Sequence, residues 1–369
     1  MAGWRRGVVD GLLEERPDLL VASVEADGQK LKAIAFPSMV PALRVGDEVV
    51  LNTTGIDLGL GTGGDAFVLW NLTNSELPTR REGHIVKLRY TPWQTEVLVA
   101  EAPESPHHAK LKDVTSIDGV PVVVCGVHSH VGPVAAGIKE VNAGARVGYL
   151  MTDGAALPLA WSNLVGSLKA AGLVDVTCTS GHAFGGDLEA VNDFSGMTAL
   201  STAGKADAIV VAMGPGVVGT ETALGFTAME QGPLLDAATA LGGHSIACLR
   251  ISFVDERERH YGISHHCLTA LAIGAQSRCT VAVPELLEDQ AQLIAGQLQS
   301  SRVAERHDLV MADGAEAVRR AIEEGIQLKS MGRAIEDNPE YFLAAGAAGA
   351  IAGRATLESF GEPRAEERA

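Results

Sequence analysis

Near residue 120 the hydrophobic pattern of this chain changes period, and that change restricts the fold more than any other feature. Between residue 4 and about residue 72, apolar and polar residues alternate in short runs: RRGVVDGLL, LLVASVEADG, KLKAIAFPS, VGDEVVLNTT and DAFVLWNL. Turn residues separate them at Asp27-Gly28, Gly46-Asp47 and 59–64. Period-two strands at this spacing predict a small β-barrel or sandwich. From residue 120 onward, fully apolar runs alternate with helix-length segments, as happens when a parallel sheet is covered on both faces. We read strands over 120–127, 146–152, 174–180, 206–213, 245–252 and 280–284, with helices over 134–141, 158–171, 188–203, 233–241 and 265–275 between them. Successive crossovers of this kind indicate an α/β fold, a doubly wound and mostly parallel sheet. Beyond it come a helix over 285–299, a further strand over 308–311, and helices over 315–324 and 341–353.

The expected organisation is an N-terminal β-barrel-like domain over 1–76, with a boundary as late as 115. An α/β domain follows over 77–290, and a helical C-terminal segment over 291–369 packs on it. A chain of 369 residues is long enough to bury a core without disulfides. Its five cysteines are odd in number, widely spaced and contain no C-x-x-C pair, which reads as reduced thiols in a cytoplasm. The start is interrupted by Asp10, Glu14 and Glu15 before any apolar stretch develops, so it is not read as a signal peptide. The run YFLAAGAAGAIAG is too short to span a bilayer and suits close helix packing. With 29 Lys and Arg against 46 Asp and Glu, the net charge is −17. An acidic surface of this kind argues against nucleic acid and membrane partners while leaving room for a small anion in a local basic pocket.

Ligands of open parallel sheets bind beyond the carboxyl ends of the strands, and titratable residues collect there in this sequence. His128 and His130 follow the first apolar strand, Asp153 the second, His182 and Asp187 the third. Asp255, Arg257, Arg259, His260, His265 and His266 follow the fifth. Asp153 and Asp187 are also placed to cap helices. H-x-H at 128–130 is a weak metal motif. His265 and His266 are neighbours on a helix and are expected to diverge, one packing and the other free as a proton carrier or ligand. His107 and His108 read as a surface turn.

Gly214, Gly216 and Gly219 match G-x-G-x-x-G directly after a buried strand. The acid that would hold a ribose is misplaced, since Asp236 falls inside a helix, and the same spacing recurs at Gly59, Gly61 and Gly64. A dinucleotide is therefore disfavoured. A glycine loop whose N–H groups face an anion remains, with Thr220 as an extra donor and Arg257 or Arg259 as a charged contact. No P-loop, H-E-x-x-H or G-x-S-x-G is present.

The phrases LNTTGIDLGLGTGG, GHIVKLRYTPWQ, ESPHH, MTDGAALPLA, GHAFGGDLEAVN, GPGVVGTETALGF, RERHYGISHH and MGRAIEDNPEYFLAAGAAG together resemble a bacterial domain-of-unknown-function family over nearly the whole chain. The resemblance implies no activity, and it implies that His130 is peculiar to this chain. The expected function is binding of a small anionic metabolite at the carboxyl end of the sheet, with hydrolase or transferase chemistry at His182, Asp187, His265 and His266. Gly214, Gly216, Gly219, Thr220, Arg257 and Arg259 are the expected ligand contacts. No residue is assigned to a metal, the cofactor is open, and self-association into a homo-oligomer is allowed. The alternative is a regulatory or scaffold protein that uses the same loops as an interface.

Overall fold

The structure, a computed structural model, describes residues 3–60, 64–74, 76 and 82–359. Gly61 of the second glycine run, most of the linker expected near 77–83 and the C-terminal tail lie outside the described residues. The chain divides into two compact units, Met1–Val97 and Leu98–Ala369.

In the first unit, β1 (Trp4–Glu15), β2 (Leu20–Ala26), β3 (Gln29–Ala35), β4 (Glu48–Asn52) and β5 (Asp65–Asn71) close a barrel in the order β1-β2-β3-β5-β4. Only the β3–β5 pair is parallel, and closure removes the sheet edges. The alternating residues Val9, Ala22, Val24, Ala33, Val49, Leu51, Ala66 and Val68 fill its interior. A short helix α1 (Thr54–Asp57) and a hairpin of β6 (Ile85–Lys87) and β7 (Thr95–Val97) complete the unit. A cavity of about 510 Å³ lies on the barrel wall, lined by Arg6, Val8, Glu25, Asp27 and Glu48 among others. It contains no histidine.

The second unit begins with α2 (His108–Leu111) and is built on one parallel sheet. Its strands are β8 (Pro121–Cys125), β9 (Val147–Thr152), β10 (Val176–Thr179), β11 (Leu188–Glu189), β12 (Ala208–Met213), β13 (His244–Cys248), β16 (Thr280–Pro284) and β17 (Asp308–Ala312). A separate antiparallel ribbon of β14 (Ile251–Ser252) and β15 (Gly262–Ile263) follows β13. The sheet order is β11-β10-β9-β12-β8-β13-β16-β17, with every pairing parallel.

The continuous apolar runs follow from burial on both faces. In β8, Val123 and Cys125 face one core while Val122 and Val124 face the other; in β12, Val210 and Ala212 oppose Ile209 and Val211. One layer holds α3 (Val131–Val141), α4 (Asn163–Ala170), α10 (Ala315–Glu323) and α11 (Pro339–Ser359). The other holds α5 (Asp193–Thr198), α6 (Gln231–Ala240), α7 (His265–Thr269), α8 (Glu288–Ser300) and α9 (Val303–Arg306).

The Ala/Gly run of α11 packs on α3, and a Cβ on Gly137 would lie 2.7 Å from the Gly346 carbonyl oxygen. Small residues are needed there because the two backbones touch. Among the described residues, no helix is long and apolar enough to cross a membrane.

Three readings of elements need correction. The segment after Ser180 is not helical from Leu188: it forms the edge strand β11 before α5 begins at Asp193. The strand read over 245–252 breaks at Leu249 and Arg250, and Ile251–Ser252 turns away to pair with β15. The glycine loop after β12 does not lead directly into a helix. It returns through a bridge between Gly219 and Phe226, and α6 starts only at Gln231.

Candidate functional site

The chain leaves β8 toward β9 on one side of the sheet and leaves β12 toward β13 on the other. These two neighbouring strands therefore form the topological switch point, where crossover loops separate and leave room for a ligand. At this point His128 stands over β12. Its Nδ1 lies 3.2 Å from the Met213 carbonyl and 3.1 Å from the Tyr149 hydroxyl, and its Nε2 lies 2.7 Å from Ser162 Oγ. Burial pushes its pKa down to about 4, so His128 is a neutral, fully partnered strut. His130 is deeper still, packed on Tyr341 with Nδ1 3.3 Å from Cys248 Sγ.

Two clusters flank the switch point. On the β9–β10 side is an acidic pole. Thr152 Oγ1 donates to Glu230 at 2.8 Å, the His182 backbone N–H to Asp153 at 2.9 Å, and Ser180 Oγ to Asp193 at 2.5 Å. Asp187 accepts from Lys169 Nζ at 2.5 Å and from the N–H and hydroxyl of Thr177 at 2.9 and 2.8 Å. Burial alone would raise the Asp187 carboxyl, but Lys169 and Thr177 outweigh it and hold the group below the ordinary carboxylate value. Burial pushes Glu230 up to about 7 against the Thr152 hydrogen bond, and the charges of Asp193 and Asp153 add to the rise. Each of these carboxylates accepts at least one hydrogen bond.

Beyond β13 is a histidine pole. The ribbon β14–β15 carries the chain out and back, so that His260 returns over the first turn of α7. The rings of His260, His265 and His266 then meet, with centroids 5.1, 5.0 and 4.4 Å apart. Ser264 caps α7, accepting from the His266 N–H, and its Oγ lies 2.7 Å from His260 Nδ1. Phe226 stacks on His266 at 4.0 Å with the rings 10° from parallel. His260 and His266 are buried and His265 partly so. Nε2 of His265 and Nδ1 of His266 are buried without a hydrogen-bond partner, a costly arrangement for polar atoms. Burial first, then the charges of Arg250 and Arg257, lowers His260 to about 4, and burial followed by the neighbouring His265 and His260 lowers His266 to about 3. His265 is lowered as well, again mainly by burial. Each shift favours the neutral imidazole, the form in which histidine binds a metal. Among the described residues they are the one group of three or more histidine, cysteine or acidic side chains close enough to hold an ion.

The glycine loop reaches this pole. A Cβ on Gly219 would lie 3.3 Å from the His266 ring, and one on Gly214 would lie 2.5 Å from the Ala156 carbonyl oxygen. Gly216 has φ +112°, a conformation closed to other residues. Thr220 Oγ1 is occupied inside the loop by Thr222 and the Gly225 carbonyl. No α-helix dipole is added at this loop, because α6 begins twelve residues after Gly219.

The arginines are unequal. Arg257 grips Asp255 through Nε at 2.9 Å and Nη2 at 2.8 Å, and Arg259 pairs with Glu221 of the glycine loop at 2.9 Å. Arg250, with a side chain only 6% exposed, has Asp255 at 3.7 Å and the Met331 sulfur at 3.5 Å.

The structure thus brings His265, His266, Gly219, Arg259 and the loop carrying Thr220 to one place. The His182 backbone belongs to the acidic pole, where Asp153 accepts its N–H instead of capping a helix, whereas Asp187 precedes the amino end of β11, beside Thr177 of β10, and caps no helix either. His265 and His266 do not diverge as their helical spacing suggested, because they occupy the first turn directly after the cap, where both rings can turn toward His260. Sequence reasoning noted His260 among the polar residues after the fifth strand and Arg250 in the basic cluster with Arg257 and Arg259, but assigned neither to the site, and it did not single out Glu230. The spacing H-x4-H-H was the available signal for the first, and no motif announces the other two.

No curated protein matches the chain. The family described as "Protein of unknown function (DUF3866)" matches residues 32–349 of the 369, from within β3 of the first unit through most of the second. The chain belongs to that family.

Proposed function

We propose that the protein binds a small anionic metabolite at the carboxyl end of its sheet, between the glycine loop and the histidine pole, and acts on it as a hydrolase or transferase. Arg250 carries this reading. A buried guanidinium normally holds a carboxylate bidentately, yet Asp255 is committed to Arg257 and approaches Arg250 no closer than 3.7 Å. A ligand phosphate or carboxylate would complete Arg250. The exposed N–H of Gly216, which has no acceptor among the described residues, and the Arg259 guanidinium support the same polarity. Chemistry is placed at His265 and His266, whose nitrogens have unused capacity. Asp187 is assigned a structural role because its oxygens are already taken.

The test is calorimetric binding of phosphorylated and carboxylated metabolites to wild type, Arg250→Met and Gly216→Asp. Arg250→Met preserves volume and should weaken binding by about 10- to 100-fold, the worth of a shielded charge-assisted hydrogen bond. Unchanged affinity in a folded Arg250→Met protein would remove the site assignment.

A second reading has one observation in its favour: Val218 and Leu224 of the glycine loop are 57% and 56% exposed, as an interface would require. It predicts a change in oligomeric state on Leu224→Asp with no metabolite bound by the wild type.

A further inference from the structure

We propose that His260, His265 and His266 form a binding site for a transition metal of the zinc class, with three imidazole ligands and a fourth position left for water or substrate. The site stands on the imidazole geometry and does not need the anion reading above. One nitrogen from each residue lies within 4.8 Å of the other two. Tetrahedral coordination with bonds of about 2.0–2.1 Å requires nitrogens somewhat closer than this, a contraction within reach of side-chain rotation.

Three features point to a ligand rather than to simple packing. First, the buried nitrogens His265 Nε2 and His266 Nδ1 have no protein partner, although the fold satisfies the carboxylates of the neighbouring pole. Second, His260 is oriented from behind. With its proton on Nδ1 donating to Ser264 Oγ, its Nε2 lone pair is free, as in the outer-shell contacts that orient metal-bound histidines. Third, Phe226 stacked on His266 and the close approach of Gly219, which is bridged to Phe226, hold that ring in place.

The ligand set selects the metal. Three imidazoles without a carboxylate suit Zn²⁺ and its Co²⁺ or Ni²⁺ analogues and do not suit Mg²⁺ or Ca²⁺. Cys267 adjoins the cluster in sequence, but its sulfur accepts the Arg250 backbone N–H at 3.2 Å and belongs to the helix side. Arg250, Arg257 and Arg259 bring three positive charges near the site against the two negative charges of Asp255 and Glu221. A bound divalent ion would therefore favour an anionic fourth ligand.

The experiment uses the untagged full chain, stripped with a chelator and titrated with Zn²⁺ by calorimetry and with Co²⁺ by visible absorption. The expected result is one metal per chain and the visible bands of four-coordinate Co²⁺. His265 is partly exposed, so His265→Ala and the bulkier His265→Gln should keep the fold. They should weaken binding by more than the roughly 10- to 100-fold that loss of an outer-shell partner costs. Ser264→Ala should fall within that outer-shell range. Absence of stoichiometric Zn²⁺ binding by the wild type, or equal affinity in wild type and either folded His265 variant, overturns the proposal.

Discussion

The acidic pole and the histidine pole stand at the same end of the same sheet, yet one is saturated and the other is not. Asp153, Asp193 and Glu230 each accept a hydrogen bond from a backbone or hydroxyl donor. Across the switch point, two of the three histidines leave a buried nitrogen without a partner, and Arg250 lacks a close carboxylate. Polar groups held by their neighbours stabilise a fold; polar groups buried without neighbours cost stability unless something outside the chain completes them. The contrast supports a structural role for the first pole and the proposed ligand binding at the second. A concentration of titratable residues at strand ends, taken alone, does not make that distinction.

The largest expected effect tests the acidic pole through pH. Glu230 is raised from 4.5 to about 7, so between those values the folded state holds a proton that the unfolded state has released. Glu230's contribution to stability is therefore fully present below about pH 4.5, falls as pH rises through the window and is lost above 7, while the buried histidines with lowered values act in the opposite sense up to about pH 6.5. Glu230→Gln keeps an acceptor for Thr152 and removes the titration. It should match wild type near pH 4 and exceed it by up to about 3 kcal/mol above pH 7, measured by denaturant unfolding. A difference between Glu230→Gln and wild type that does not grow between pH 4.5 and 7 would show that the pole does not hold the proton.

A smaller effect is expected at Asp187. Its alanine variant loses the contacts to Thr177 and Lys169, and because the Lys169 pair is solvent-screened the loss should be about 1–3 kcal/mol. Metabolite and metal affinity should be unchanged. An Asp187→Ala protein that stays as stable as wild type but loses ligand binding would overturn the structural role of Asp187. The smallest effect is at Arg259, whose pair with Glu221 is exposed. Arg259→Gln should shift stability by less than about 1 kcal/mol while weakening anion binding and reducing its salt dependence, a split that calorimetry at two ionic strengths would read.

Much of the architecture is legible in the sequence, and the reason is visible in particular strands. β8, β9, β12 and β16 are buried on both faces, so each is an unbroken apolar run of the kind that no solvent-facing segment tolerates. β11 is only two residues long, too short to carry a period, and its residues read naturally as the start of the following helix. The break after β13 is hidden because Leu249 and Ile251 are as apolar as the strand itself, while the turn depends on pairing between Ile251 and Ile263, twelve residues away.

The site is less legible for the same reason. His265 and His266 stand out as a pair, but His260 joins them only through the ribbon, and Gly262 with φ +74° makes that return. Arg250 looks like one member of a basic cluster in sequence. Burial and the preference of Asp255 for Arg257 single it out, and neither is a local property.

The assignment of the histidine pole as the ligand-binding pole is tested most directly by X-ray absorption at the zinc edge on the zinc-loaded, untagged chain. The account predicts a first shell of three imidazole nitrogens and one further light atom at about 2.0–2.1 Å, without sulfur. A shell containing sulfur at about 2.3 Å, or one unaltered by His265→Ala, would place the metal elsewhere and contradict the account.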